Sequence, residues 1–165
     1  MGARPNENFS NWNHRFPGMQ QSSDEFYAAV QKELERHNLD RMDIRRVNLF
    51  EGGVLSSKRE YLEIYRSGYV FHLCAAPFGD GFFVSWWCGT AIDWFIKWLA
   101  GLPILGYFLR NFVWRNTYYK VDLALMFQSV VSSSVMIVLD QLTEQQGQKA
   151  LTEIERKPAM RDFLA

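Results

Sequence analysis

His72 and Cys74 stand two residues apart in the run YVFHLCAA, so a strand places both on one face, and Cys88 falls in the next apolar run. An imidazole and two thiols suit a soft metal, but the third has no diagnostic spacing and no fourth ligand accompanies them. They are read as buried structural residues. His14 lies in the N-terminal arm and His37 near a helix end, neither placed to act as a base. Gly79-Asp80-Gly81 supplies two glycines of a phosphate loop, but Val84 occupies the third position, so the tripeptide is a turn. Gly101 and Gly106 have Walker spacing with Tyr107 in place of the lysine, and no GxSxG, HExxH or kinase signature occurs. Asp80 and Asp93, the only acids of an aromatic region, are candidates for proton transfer. A hairpin tip for Asp80, and pairing with Lys97 at helical spacing for Asp93, are the simpler readings. The chain is accordingly expected to be non-enzymatic, with no catalytic residue, cofactor or metal.

Lys58, Arg59 and Arg66, with Arg41, Arg45 and Arg46, form a basic cluster in sequence. If strands 43–50 and 59–66 pair, these side chains make a positive patch for anionic headgroups. A solvated strand face balanced by Asp43, Glu60 and Glu63 is the preferred alternative. Over the whole chain 18 Lys+Arg meet 18 Asp+Glu, which argues against a protein that tracks phosphate backbones, so no nucleic-acid partner is expected. Two cysteines in 165 residues are not a disulfide framework and are expected to be free thiols. The first twenty residues hold no apolar run, so no signal peptide is read and a cytoplasmic location is expected. Met1-Gly2 resembles the start of a myristoylation signal, but Asn6 stands where Ser or Thr is required.

The charges are unevenly placed. Residues 67–114 carry only Asp80, Asp93, Lys97 and Arg110, together with most of the tryptophans. Within 86–115 the longest uncharged run, 98–109, is too short for a spanning helix, which needs about twenty apolar residues. Gly101, Pro103 and Gly106 interrupt it, so the segment is read as an aromatic helical hairpin of two short pieces. Trp86, Trp87, Trp94, Phe95, Lys97, Trp98, Leu102, Ile104, Leu105, Tyr107, Phe108, Arg110, Phe112, Trp114 and Arg115 are its candidate membrane or partner contacts. Tryptophan with Arg or Lys is the composition of the boundary between headgroups and acyl chains. A buried core or an oligomer interface accounts for the same residues equally well.

These residues require a scaffold. The period of the sequence predicts an arm over 1–21, flexible and rich in Asn, Gln and Pro, and a single α+β domain over 22–165. Its elements begin with an amphipathic helix from Ser22 or Ser23, where Ser22 and Glu25 have capping-box spacing and Phe26, Ala29, Val30 and Leu34 share a stripe. Strands at 43–50, 59–66, 69–76 and 81–88 follow, joined by turn chemistry at Ser67-Gly68 and Phe78-Gly79-Asp80-Gly81, as an antiparallel four-stranded meander. The aromatic hairpin is inserted before a long helix from Thr117, in which Phe127, Val131, Val135, Val138 and Leu142 recur and Gly147 is the stop. A C-terminal helix interrupted before Pro158 completes the fold. Residues 123–139 carry no charge, but Asp122 and Asp140 close both ends, which favours a buried helix over a membrane span.

The sequence thus points to a membrane-associated accessory or assembly protein that docks through residues 86–115 on lipid, on a membrane-protein complex, or on both. A soluble homo-oligomer using the same aromatics is the first alternative. A protein with an aromatic pocket for a small molecule is the second.

Overall fold

A computed structural model of the chain describes residues 5–49, 59–91 and 118–161. In chain order these form β1 (Pro5–Pro17), α1 (Ser23–Arg36), β2 (Asp43–Leu49), β3 (Arg59–Arg66), β4 (Tyr69–Phe78), β5 (Gly81–Ala91), α2 (Tyr118–Gln145), α3 (Glu153–Arg156) and β6 (Ala159–Met160). The chain is α+β, and its six strands make one antiparallel sheet in the order β2-β3-β4-β5-β1-β6.

The four-stranded meander forms as expected, β2 to β5 lying side by side in chain order. The N-terminal arm does not stay flexible: Pro5–Pro17 is a long strand pairing β5 from Pro5↔Ala91 to Pro17↔Gly81. Its reason is the open edge of β5, whose backbone groups need partners, and the period-two alternation of Trp12, His14 and Phe16, which aims two large apolar side chains into the core. At its far end Gly81 has no room for a side chain, because an added Cβ would strike the Phe16 carbonyl.

Helix α1 buries Phe26, Tyr27, Val30 and Leu34, with Ala29 partly buried. Ser22 is its N-cap in extended conformation, but the expected capping box does not form, since the Ser22 side chain makes no cap hydrogen bond and Glu25 instead accepts from Gln21 Nε2 at 3.1 Å. Helix α2 is the long helix expected. Phe127, Val131, Val135 and Val138 are buried, Leu142 partly so, and Gly147 ends the segment with a left-handed φ of 62° while Gln148 N–H caps the Thr143 carbonyl at 2.8 Å. The C-terminal helix is reduced to the four residues of α3, closed at its start by a true capping box of Thr152 and Glu155. Pro158 prevents its continuation, and the next residues pair with β1 through Ser10↔Met160 and Asn11↔Ala159. Of the aromatic hairpin expected over 86–115, residues 92–115 lie outside the described residues.

Cross-strand register assigns each side chain to a face. One face carries Trp12 and Phe16, Phe82, Val84, Trp86 and Cys88, Phe71, Leu73 and Ala75, Leu62 and Ile64. Helices α1 and α2 cover it, Phe26 meeting Phe82 edge-on at 5.5 Å and Phe127 lying 6.5 Å from Tyr69. These side chains form the core, and each large one contributes about 1.5–3 kcal/mol by leaving water. The second face carries Arg45, Glu63, His72, Trp87 and Asn11 in one cross-strand row, and Cys74, Ser85 and Asn13 in the next.

Candidate functional site

Of the aromatic segment 86–115 only residues 86–91 are among the described residues. Trp86, a candidate contact residue, is wholly buried on the helix-covered face and stacks on Phe71 at 4.8 Å, so it belongs to the core. Trp87 points the opposite way and is 42% exposed, as strand alternation requires. Trp94, Phe95, Lys97, Trp98, Leu102, Ile104, Leu105, Tyr107, Phe108, Arg110, Phe112, Trp114 and Arg115 lie outside the described residues, as does Asp93.

The described residues on either side of 92–117 are brought together by Tyr69. The chain leaves β5 at Ala91, whose N–H donates to the Gly68 carbonyl at 2.8 Å, and Tyr69 pairs with Thr90 next to it. The Tyr69 hydroxyl donates to the Lys120 carbonyl at 2.7 Å, in the first turn of α2. Exit and re-entry therefore sit at one end of the sheet. Burial raises the Tyr69 pKa, so the hydroxyl keeps its proton. Tyr118 and Tyr119, where the chain re-enters, are both strongly exposed.

The metal reading fails on topology. His72 and Cys74 share the second face, but Cys88 lies under the helices, where burial pushes its pKa up. No group of three His, Cys, Asp or Glu able to hold a metal occurs among the described residues. Both cysteines are free and on opposite faces, so they cannot pair. The basic cluster is also dispersed. Arg45 and Arg46 point to opposite faces; Arg46 meets Asp24 and Glu60 and lies 5.5 Å over the Tyr27 ring, while Arg66 donates to the Asp40 carbonyl at 3.1 Å. Asp80 sits exposed at the β4–β5 tip and pairs with Arg15. His14 is no part of a loose arm, being held on β1 between Trp12 and Phe16.

On the second face the structure assembles a polar row that alternation alone did not reveal. Glu63, expected to balance a solvated strand face, is fully buried. Its carboxylate accepts from Arg45 at 2.6 Å and from His72 Nε2 at 2.9 Å, which satisfies a charge too costly to bury alone. Desolvation lowers the His72 pKa and outweighs the opposing bond to Glu63, with Arg45 adding to the lowering. The imidazole is thus neutral at pH 7, with Nε2–H donating to Glu63 and Nδ1 left as an acceptor. The signal available in the sequence was register: Arg45, Glu63 and His72 become direct neighbours once the three strands pair.

Beyond this row β3 and β4 part. Their ladder runs from Arg66↔Tyr69 to Leu62↔Leu73 and stops, although β3 stays paired with β2 to Arg59 and β4 with β5 to Phe78. The Tyr27 hydroxyl occupies the gap, donating to the Glu60 carbonyl at 2.9 Å and accepting from Ala75 N–H at 2.9 Å. It takes the place of a direct strand-to-strand bond and holds the two halves of the sheet apart. On the second face Cys74 lies opposite Ser85 across β4 and β5, and Tyr61, which pairs with Val47, is on the same face of β3. Burial raises the Cys74 pKa, so the group is a thiol at neutral pH.

Compared with family models, with curated proteins and with solved structures, the chain matches none.

Proposed function

We propose that the protein is a non-enzymatic accessory or assembly factor that docks on a membrane or on a membrane-protein complex through Trp87 and residues 94–115. The observation that supports this reading is the clamp at Tyr69. The described residues on either side of the aromatic, charge-poor stretch, Ala91 and Lys120, are held at one end of the packed sheet, which supports a role for that stretch separate from the core. Exposed Tyr118 and Tyr119 at its base supply the aromatic residues that settle at headgroup level. Helix α2 is the one described helix long and apolar enough to cross a membrane, with a mean hydropathy of 1.7, but its buried stripe is engaged by the sheet and α1. Docking is therefore assigned to the aromatic segment. Two thiols on opposite faces suit a reducing compartment, hence the cytoplasmic side.

Replacement of both Trp94 and Trp98 by Ser tests the reading. The double variant should move from the membrane pellet to the soluble fraction while keeping the circular dichroism of the parent. A folded double variant that stays with membranes overturns the proposal.

A second reading, a homo-oligomer, draws on the outward side of α2, where Met126 is 63% and Ile137 38% exposed within a stretch lacking charge. Sedimentation without detergent distinguishes the two. A stable, monodisperse oligomer supports the second reading, and dependence on lipid or detergent supports docking.

A further inference from the structure

Helix α2 is buried along one stripe only. Phe127, Val131, Val135 and Val138 pack against the sheet and α1, and less than half of the most apolar window of the helix is buried. An outward side that meets water is ordinarily charged or polar. Here it has the spacing and composition of a second buried stripe. Tyr119, Leu123, Met126, Val130, Ser133 and Ile137 recur at alternating intervals of four and three residues, which are the a and d positions of a heptad. Tyr119 is 72%, Met126 63% and Ile137 38% exposed, Ser133 is exposed, and Leu123 and Val130 are half-buried. No charge interrupts the helix between Asp122 and Asp140. A period of three and a half residues marks a face that another helix is to cover along its length.

We propose that α2 pairs with α2 of a second copy of this chain as an antiparallel coiled coil. The inference rests on the homo-oligomer reading and supplies its interface. In an antiparallel pair each a position meets a d position of the other copy, so Met126 faces Ile137 of the second copy and Val130 faces its Ser133, each contact occurring twice by symmetry. Small Ser133 lets the two backbones approach at the centre. A hydroxyl there has the carbonyl one turn back as its acceptor, the bond that Ser134 already makes to Val130 at 3.0 Å. Charge selects the orientation. A parallel pair stacks Glu144 on Glu144 and Asp140 on Asp140, whereas the antiparallel pair keeps the like acids apart and sets Glu144 against Tyr119 of the other copy, whose exposed hydroxyl can donate to it. Within one copy Asp140 is already neutralised by Arg156 at 2.6 Å. One helix from each copy buries less than the roughly 1,600 Å² of a standard interface, so the expected Kd is about 1–100 µM.

Sedimentation of the full-length chain from about 1 to 300 µM, without detergent, should show a monomer–dimer equilibrium. Met126→Glu, at an exposed position where circular dichroism checks the fold, should weaken it by about tenfold or more. Orientation is read by mild oxidation of an equimolar mixture of Met126→Cys and Ile137→Cys chains, with the products resolved by mass. The antiparallel pair joins one variant to the other in large excess over either joined to itself, and the parent chain, whose two cysteines are buried, gives no cross-link. A monomer at every concentration, or association only on addition of lipid or detergent, overturns both this interface and the homo-oligomer reading. Cross-links of each variant to itself, random cross-linking, or undiminished association of a folded Met126→Glu chain leaves the oligomer standing and overturns the antiparallel α2 pair.

Discussion

Replacing Tyr27 by Phe removes one oxygen atom and tests how the sheet is held open. The ring is 1% exposed and would stay packed beneath α1, so apolar burial is preserved. What is lost are two hydrogen bonds of 2.9 Å, one to the Glu60 carbonyl and one from Ala75 N–H. Stranding a buried backbone group costs about 1–3 kcal/mol, and here a donor and an acceptor lose their partner together. The carbonyl side is the less buried and regains water more readily, so the expected total is about 2–4 kcal/mol. A competing response exists: β3 can close onto β4 and restore a direct Ala75-to-Glu60 bond, which would reduce the cost to below about 1 kcal/mol. Burial raises the Tyr27 pKa, so the hydroxyl stays protonated and the result should not vary with pH through the neutral range. Urea unfolding of the full chain gives the free energy, and hydrogen exchange at Ala75 shows which response occurs. Faster exchange with a large loss of stability supports a gap held by the hydroxyl, whereas a small loss with slower exchange supports closure. A change below about 0.5 kcal/mol with unaltered exchange would refute the claim that Tyr27 bridges the strands.

Burial favours neutral His72 in the fold, so the unfolded chain takes up the proton first as pH falls. Its stabilising contribution should be complete above about pH 6.5 and decline below it until the lowered folded pKa is passed; unfolding from pH 8 to 5 should show a slope that His72→Gln removes, and a slope of opposite sign would mean the Glu63 bond outweighs desolvation. Gly81→Ala drives a Cβ into the Phe16 carbonyl at the last β1–β5 pair and should cost about 1–3 kcal/mol in urea unfolding, with the loss concentrated in exchange of the β1 amides. Phe127→Ala empties a site that is 1% exposed between α2 and the sheet and should cost about 3–5 kcal/mol; an unchanged stability would mean that α2 is not packed on the domain.

Much of the fold was legible because it rests on local chemistry. Strand alternation with Gly-containing turns specified β2 to β5, and helical recurrence of Phe127, Val131, Val135 and Val138 specified α2, since both patterns reflect a buried face repeating at a fixed period. β1 was missed because Asn, Gln and Pro dominate its neighbourhood, and its strand character comes from a partner far away in sequence, the open edge of β5. The C-terminal helix was overestimated for a related reason: the edge of β1 and the proline compete with its propensity.

The site divides along the same line. Composition by itself marked 86–115 as the unusual segment and excluded the familiar catalytic and nucleotide signatures, because these depend on residue type and spacing along the chain. Which way Trp86 and Trp87 point, the separation of Cys88 from Cys74, and the joining of both stems at Tyr69 were decided by sheet register and by α2 docking. The burial of Glu63 between Arg45 and His72, and the bridging of β3 and β4 by the Tyr27 hydroxyl, were decided the same way. A charge is read as solvated until a third strand places partners beside it, and a helix tyrosine is read as core until its hydroxyl meets two backbone groups that the strands have left unpaired.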